Sequence, residues 1–383
     1  MARPYVDDFI GDEYYVDAFG GSDLNTGTSD SDAWQTIGYA INTGIPAVGY
    51  NTTNGVRLNI KSNADHSITT SLTSGGNLYT KLNGGSAWNK VSGFIIQGYT
   101  STANDGGVGT IVNNCGTSTR FIDDSTSDYW CMADVHCKFG TSSRLFQADR
   151  NCLFMDCAFT GTSTNSDVIY TDRETDFYRC YFEFGGSMRY DMSFRDCVMV
   201  SDGTYSIVND RRTYLSSCLC IHYGSANKTY LARCGAGSSA FVNVGTGTVT
   251  YGVQTETSVV GCYFENVTTP IHNSYRARRY AGNYRDNYEY GCTNQAVVFS
   301  TGTSNSGHAT IYEDVKTVTS SPFASIDETG FTLADGSEIL YDHTIGTSNG
   351  DGWSGIVKRY AGTGGIIVAG STLKGVAGIE RLK

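Results

Sequence analysis

The sequence predicts an all-β fold: a right-handed parallel β-helix solenoid with an N-terminal capping helix and a small C-terminal closing segment. Three observations carry this. Gly, Ser, Thr, Asn and Asp are abundant while only four prolines occur, a balance suited to short strands joined by tight turns. One cysteine-centred pattern recurs along the middle of the chain. The recurrence has a period near 20 residues, which marks a solenoid whose repeats bury their faces against their neighbours.

The aligned cysteines are Cys137, Cys157, Cys180, Cys197, Cys218 and Cys262, at intervals of 20, 23, 17, 21 and 44 residues. The last interval is two periods, so one intervening coil has lost its cysteine. Phe139, Phe159, Phe182 and Phe264 each lie two residues after a cysteine and share its face, as strand alternation requires. An apolar residue three positions before the cysteine, such as Phe154 before Cys157, has the wrong parity for one straight strand. A bend at Met155 and Asp156 lets both point inward. The cysteines and phenylalanines then form an interior ladder in which free thiols behave as small hydrophobes. An even count of twelve cysteines also permits a disulfide framework, but a chain of 383 residues does not need one.

Around this core the chain divides into an N-terminal arm and cap (1–54), the β-helix (55–340) and a C-terminal tail or closing segment (341–383). Within the cap, Trp34, Ile37, Ala40 and Ile41 fall on one face at helical spacing, so a helix over 32–41 can lie across the open end. Early rungs follow at Val56–Ile60 and Phe94–Tyr99. The segments 321–326 and 330–337 read as the closing turn, and 365–369 as a late strand.

A formal net charge of −11 argues against nucleic acid as a partner, since that binding neutralises phosphates with Lys and Arg. No apolar run approaches the roughly 18–20 residues that span a bilayer, so no membrane insertion is expected. The first residues lack the apolar segment of a secretory signal, so either the protein leaves by another route or, as expected here, it is assembled inside a cell. Three Asn-x-Thr sequons, at Asn51, Asn227 and Asn266, then carry little weight.

Chemistry on a β-helix comes from polar residues that share a phase on adjacent rungs. Asp149-Arg150, Asp172-Arg173 and Asp210-Arg211 each precede an aligned cysteine by eight and seven residues, with Glu174 and Arg212 beside them. The carboxylates of Asp149, Asp172, Glu174 and Asp210 are catalytic candidates, since glycoside hydrolysis uses a carboxylate pair. Arg150, Arg173 and Arg211 could hold an acidic sugar. The competing reading, an ion-pair ladder that relieves like-charge stacking, is favoured. A second patch comprises Tyr275, Arg276, Arg278, Arg279, Tyr280, Tyr284, Arg285 and Tyr288, a Tyr/Arg mixture typical of contact surfaces. Asp17, Asp23, Asn25, Asp30 and Asp32 could ligate calcium, but capping and Asx turns explain them more simply. No metal and no cofactor is expected.

The opening residues Tyr15-Val16-Asp17, Gly21-Ser22-Asp23, Asn25-Thr26-Gly27-Thr28, Trp34-Gln35-Thr36-Ile37 and Ala40-Ile41 resemble the N-terminal signature of pectate-lyase-like right-handed β-helix proteins. Gly98-Tyr99, Pro322-Phe323, Gly330-Phe331 and Gly336-Ser337 are similar to other parts of that superfamily. The resemblance spans roughly 13–340 and bears on fold rather than function. Because such β-helices serve many roles, three functional classes stay open. The first is a non-enzymatic virion structural protein of a bacteriophage: a capsid decoration, spike or tail appendage, commonly a homotrimer, partnered by other virion proteins and in contact with host-surface glycan. The second is a polysaccharide lyase or glycoside hydrolase of the tailspike type. The third is a carbohydrate-binding surface adhesin. The first is expected here.

Overall fold

The computed structural model describes residues 6, 9–48, 55–72, 93–116, 120–123, 130–140, 144–148, 151–171, 174–255, 257–273, 283–295, 298–299, 311–313, 315–321, 323–326, 330–333 and 338–340. The fold is a parallel β-helix. Two compact units make it up, one formed by the residues to Ser163 with Val168–Tyr181, the other by Thr164–Asp167 with Phe182 onward. Both units repeat the same coil. A strand on a first face reaches a one-residue corner, a second-face strand follows, and a loop leads to a third-face strand that returns to the first.

In the first unit, the first face is built from Asp12–Val16, Val56–Lys61, Phe94–Tyr99, Trp130–Ala133, Cys152–Met155 and Thr175–Tyr178, each parallel to the next. Their register aligns Tyr14, Leu58, Ile96, Met132, Phe154 and Phe177 in one interior column, every member at most 4% exposed. Phe154 and Phe177 stack at 4.8 Å and 14°. Apolar side chains stacked at every rung supply the burial that a short strand cannot find within its own coil.

The second unit repeats the scheme. Phe194, Leu215, Ala236, Val259, Tyr284 and Tyr312 align on its first face. Met199, Cys220, Phe241, Phe264 and Glu289 align on its second. The strands Val208–Ser216 and Lys228–Gly237 run from the third face onto the first without a break in pairing, apart from a register shift between Asn209 and Tyr214.

The corner explains the cysteines. Asp156, Arg179, Asp196, Ser217, Ser238, Gly261 and Asp286 all adopt positive φ, between 48° and 65°, and turn the chain in one residue. The residue after each corner points inward. Its thiol donates to the carbonyl two positions earlier: Cys157 to Met155, Cys180 to Tyr178, Cys197 to Arg195 and Cys218 to Ser216, at 3.2–3.3 Å. A small side chain with one weak donor therefore satisfies a bent carbonyl inside an apolar core. The coil between Cys218 and Cys262 holds Ser239 there, and Ser239 Oγ donates to Gly237 O at 2.9 Å. All twelve cysteines are free thiols.

Two ladder assignments are corrected. Ala158 pairs with His136 and Phe159 with Cys137, so Val135, not Cys137, precedes Cys157 in the corner column. Cys137 occupies the column of Ile111 and Phe159, and Phe139 lies opposite Gly161 and Asn113. The positive-φ corner of that coil is Asp134, which puts Cys137 three residues past the bend instead of one.

At the N-terminal end, Asp17 Oδ1 accepts the N–H groups of Phe19 and Gly20, and Asp23 Oδ1 those of Gln35 and Thr36. The Asp17 contacts form an Asx turn, whereas Asp23 ties the loop to residues twelve and thirteen positions on, just ahead of the helix; among the described residues no cluster fit for a metal occurs. Helix begins at Ile37, with Thr36 as N-cap, later than the spacing predicts, because Asp23 holds the preceding residues in extended backbone. It continues through a π-helical turn at Ala40–Gly44 into Ile45–Val48. Pro46 has no N–H to offer the turn behind it, and the wide turn sits just ahead of it. The closing segment is a three-stranded antiparallel sheet, Phe323–Ile326, Gly330–Leu333 and Glu338–Leu340. The expected strand at 365–369, like the whole tail at 341–383, lies outside the described residues.

Candidate functional site

Of the predicted Asp/Arg column, Glu174 and residues 210–212 are described and fall where the third face leads into the first. Asp149, Arg150, Asp172 and Arg173 lie outside the described residues, as does the Arg211 side chain. Glu174, exposed, takes a positive φ of 35° at this corner. Half-buried Asp210 accepts the Arg212 N–H at 2.9 Å, and Arg212 Nη1 reaches Asp191 Oδ2 of the preceding coil at 3.1 Å. Arg189 Nη1 likewise meets Asp167 Oδ1 at 2.8 Å.

A stronger pair sits at the other corner. Asp156 is completely buried, and Arg179 of the next coil grips it with two bonds, Nε to Oδ1 at 2.8 Å and Nη2 to Oδ2 at 2.7 Å. This bidentate fork ties two successive corners together.

The Tyr/Arg patch divides. Residues 275–280, with Tyr275, Arg276, Arg278, Arg279 and Tyr280, lie outside the described residues. Tyr284 is not a contact residue: it is fully buried in the first-face column, and its hydroxyl accepts from Asn273 Nδ2 at 2.8 Å. Strand alternation turns it inward while Asn283 and Arg285 face out. Exposed Arg285 lies 4.0 Å from Asp286, and Lys316 Nζ stands 5.6 Å from the Tyr288 ring centroid.

A further outward grouping on the third face of the second unit has no counterpart in the sequence reading. Asn209, Arg233, Gln254 and His272 are register partners on four successive coils. Alongside them, Tyr230 and Tyr251 stack at 5.4 Å and 18°, and Tyr251 stacks on His272 at 4.5 Å and 20°. Gln254 Nε2 donates to the Tyr230 hydroxyl at 3.1 Å and lies 3.4 Å from His272 Nδ1. Arg233 Nη1 donates to Asn209 Oδ1 at 2.8 Å. Burial holds the His272 imidazole below its ordinary pKa, which keeps the ring neutral at pH 7. The sequence signal was the interval of 21 residues shared by Tyr230–Tyr251 and Arg233–Gln254, the coil period itself. All six side chains are half-buried, and together they present hydroxyl, amide, imidazole and guanidinium groups along one line. Such a line suits a hydroxyl-rich polymer.

No protein-family model matches the chain, and no curated protein matches it.

Proposed function

We propose that the chain is a non-enzymatic structural protein of a bacteriophage virion, a spike, decoration or tail appendage that meets host-surface glycan along the third face of its second unit. The observation that carries this reading is the use made of charge. Arg179 binds Asp156, Arg189 binds Asp167 and Arg212 binds Asp191, each pair bridging separate stretches of the winding chain. Carboxylates held by guanidinium groups brace a scaffold; they are not poised to protonate or attack a glycosidic bond.

Mass spectrometry of purified particles from the source genome tests the assignment. The chain should appear as a stoichiometric particle component, and its confinement to the soluble lysate would overturn the proposal. A parallel assay incubates the purified protein with host-surface polysaccharide. The expected result is no new reducing ends and no unsaturated-uronate absorbance. Cleavage that disappears in the Asp149→Asn/Asp172→Asn/Asp210→Asn variant would favour a depolymerase instead.

A further inference from the structure

Strand alternation gives each first-face strand of the first unit two outward positions flanking its interior residue. In the strand Val56–Lys61 these hold Arg57 and Asn59. On the next three coils their register partners are Ile95 and Gln97, then Cys131 and Ala133, then Leu153 and Met155. A polar edge thus gives way to an apolar strip on the outside of the stack. The strip is nevertheless shielded, for Ile95, Cys131, Ala133 and Met155 are at most 7% exposed. Fully buried Val6 joins the same cluster, and Phe9 packs against it together with Leu153 and Tyr178. Arg57 pins the covering segment. Its Nη2 donates to the Val6 carbonyl, its guanidinium lies 4.6 Å from the Phe9 ring centroid, and its Nη1 meets Glu13 Oε1 at 3.5 Å. Neither Val6 nor Phe9 belongs to a strand.

We propose that the segment carrying Val6 and Phe9 is an exchangeable strap, and that the strip of Ile95, Cys131, Ala133, Leu153 and Met155 is the docking surface for the strap of a second copy of this chain. The strap is held by side chains laid on a finished sheet face, so it can lift without opening the ladder of coils. It joins the first strand, which opens at Asp12, through Ile10 and Gly11. Ile10 is 73% exposed, so the closed chain leaves a large apolar side chain in water beside the strap. A strap from another copy makes the same contacts as the chain's own, so exchange loses none of them and concentration sets its extent. Where two straps cross, the two Ile10 side chains meet and bury apolar area that the closed chain leaves wet. The fit also names the partner. The strip takes an aliphatic side chain along its middle, and Arg57 at its polar edge takes a backbone carbonyl and an aromatic ring, a combination that this chain itself supplies.

Sedimentation of the full chain should show self-association that strengthens with concentration. Val6→Asp should weaken that association about tenfold or more, because the strip offers a carboxylate no partner. A chain that stays monomeric throughout, or an association that Val6→Asp leaves unchanged, would overturn the proposal. A second measurement decides even if Val6→Asp unfolds. A diazirine-bearing leucine analogue replaces Val6, and these chains are mixed with heavy-isotope-labelled native protein, equilibrated at high concentration and irradiated. Cross-links from position 6 to labelled peptides containing Ile95, Cys131 or Met155 are expected. Cross-links confined to unlabelled peptides would keep the strap on its own chain and overturn the exchange. No cross-link to any of these peptides would mean that the strap does not cover the strip at all, and would remove the docking surface with it.

Discussion

At the scale of single residues, the corners hold the coils together. Asp156 is a buried carboxylate whose charge is compensated by a two-bond contact with Arg179. Removing one partner of such a pair costs far more than the pair contributes, because the remaining charge stays buried. Arg179→Ala should therefore destabilise the protein by about 3 kcal/mol or more, read from urea unfolding. Arg212→Ala removes an ion pair whose arginine is 72% exposed. Its effect should stay below about 1 kcal/mol, because solvent already screens that pair. Comparable losses from the two variants would contradict the distinction. Part of this was legible in advance: the bend at Met155 and Asp156 follows from the parity of Phe154 and Cys157. The identity of the corner residue was not, because aspartate, arginine, serine and glycine all occur there. The thiol works as a small hydrogen-bond donor, which is why serine can replace it at Ser239.

At the scale of elements, the closing segment is latched through a buried acid. Glu265 Oε2 accepts from the Tyr263 hydroxyl and from Ser321 Oγ, both at 2.7 Å, and the Phe323 ring meets Tyr263 at 6.0 Å. Burial, the largest influence, raises the Glu265 pKa, against the smaller opposing effects of the Ser321 and Tyr263 hydrogen bonds. A carboxyl whose folded pKa lies above its unfolded value near 4.3 favours folding while it is protonated. That contribution is complete below the unfolded value and is lost as pH rises through the raised one. Amide protection at Phe323–Ile326, corrected for intrinsic exchange, should fall as pH rises above the ordinary carboxylate range. Glu265→Gln should remove this slope, and a slope that survives the substitution would place its origin elsewhere. Elements were also where sequence reasoning lost register. Cys137 matched the period within two residues but lacked an apolar residue three positions before it, where Asp134 stands. The outward Tyr, Arg, Gln and His column went unseen for a related reason. Its members come from strands that carry none of the aligned cysteines, and register pairing alone brings them together.

At the scale of the whole molecule, a solenoid offers many equivalent places for local opening, and its stability is a sum over neighbouring coils. The cysteines report on this without any added label. Ten of the twelve are buried, whereas Cys115 and Cys292 are only partly so. Burial drives the thiol pKa of Cys115 up to about 11 and that of Cys292 up to about 12, so even these are weak nucleophiles at pH 8. Each still needs only a local displacement to meet a reagent. Cys218, Cys220 and Cys234 are fully enclosed, with their pKa values raised by burial first and by neighbouring thiols second. They can react only after coils separate. Alkylation at pH 8 followed by peptide mass spectrometry should therefore give two classes. Cys115 and Cys292 should label first, at rates insensitive to low urea, and the enclosed thiols much later, at rates that climb steeply with urea. A single rate for all twelve would mean that the coils open together. Early labelling of Cys218 or Cys234 would mean that the interior column is not closed, and would remove the physical basis of the stack.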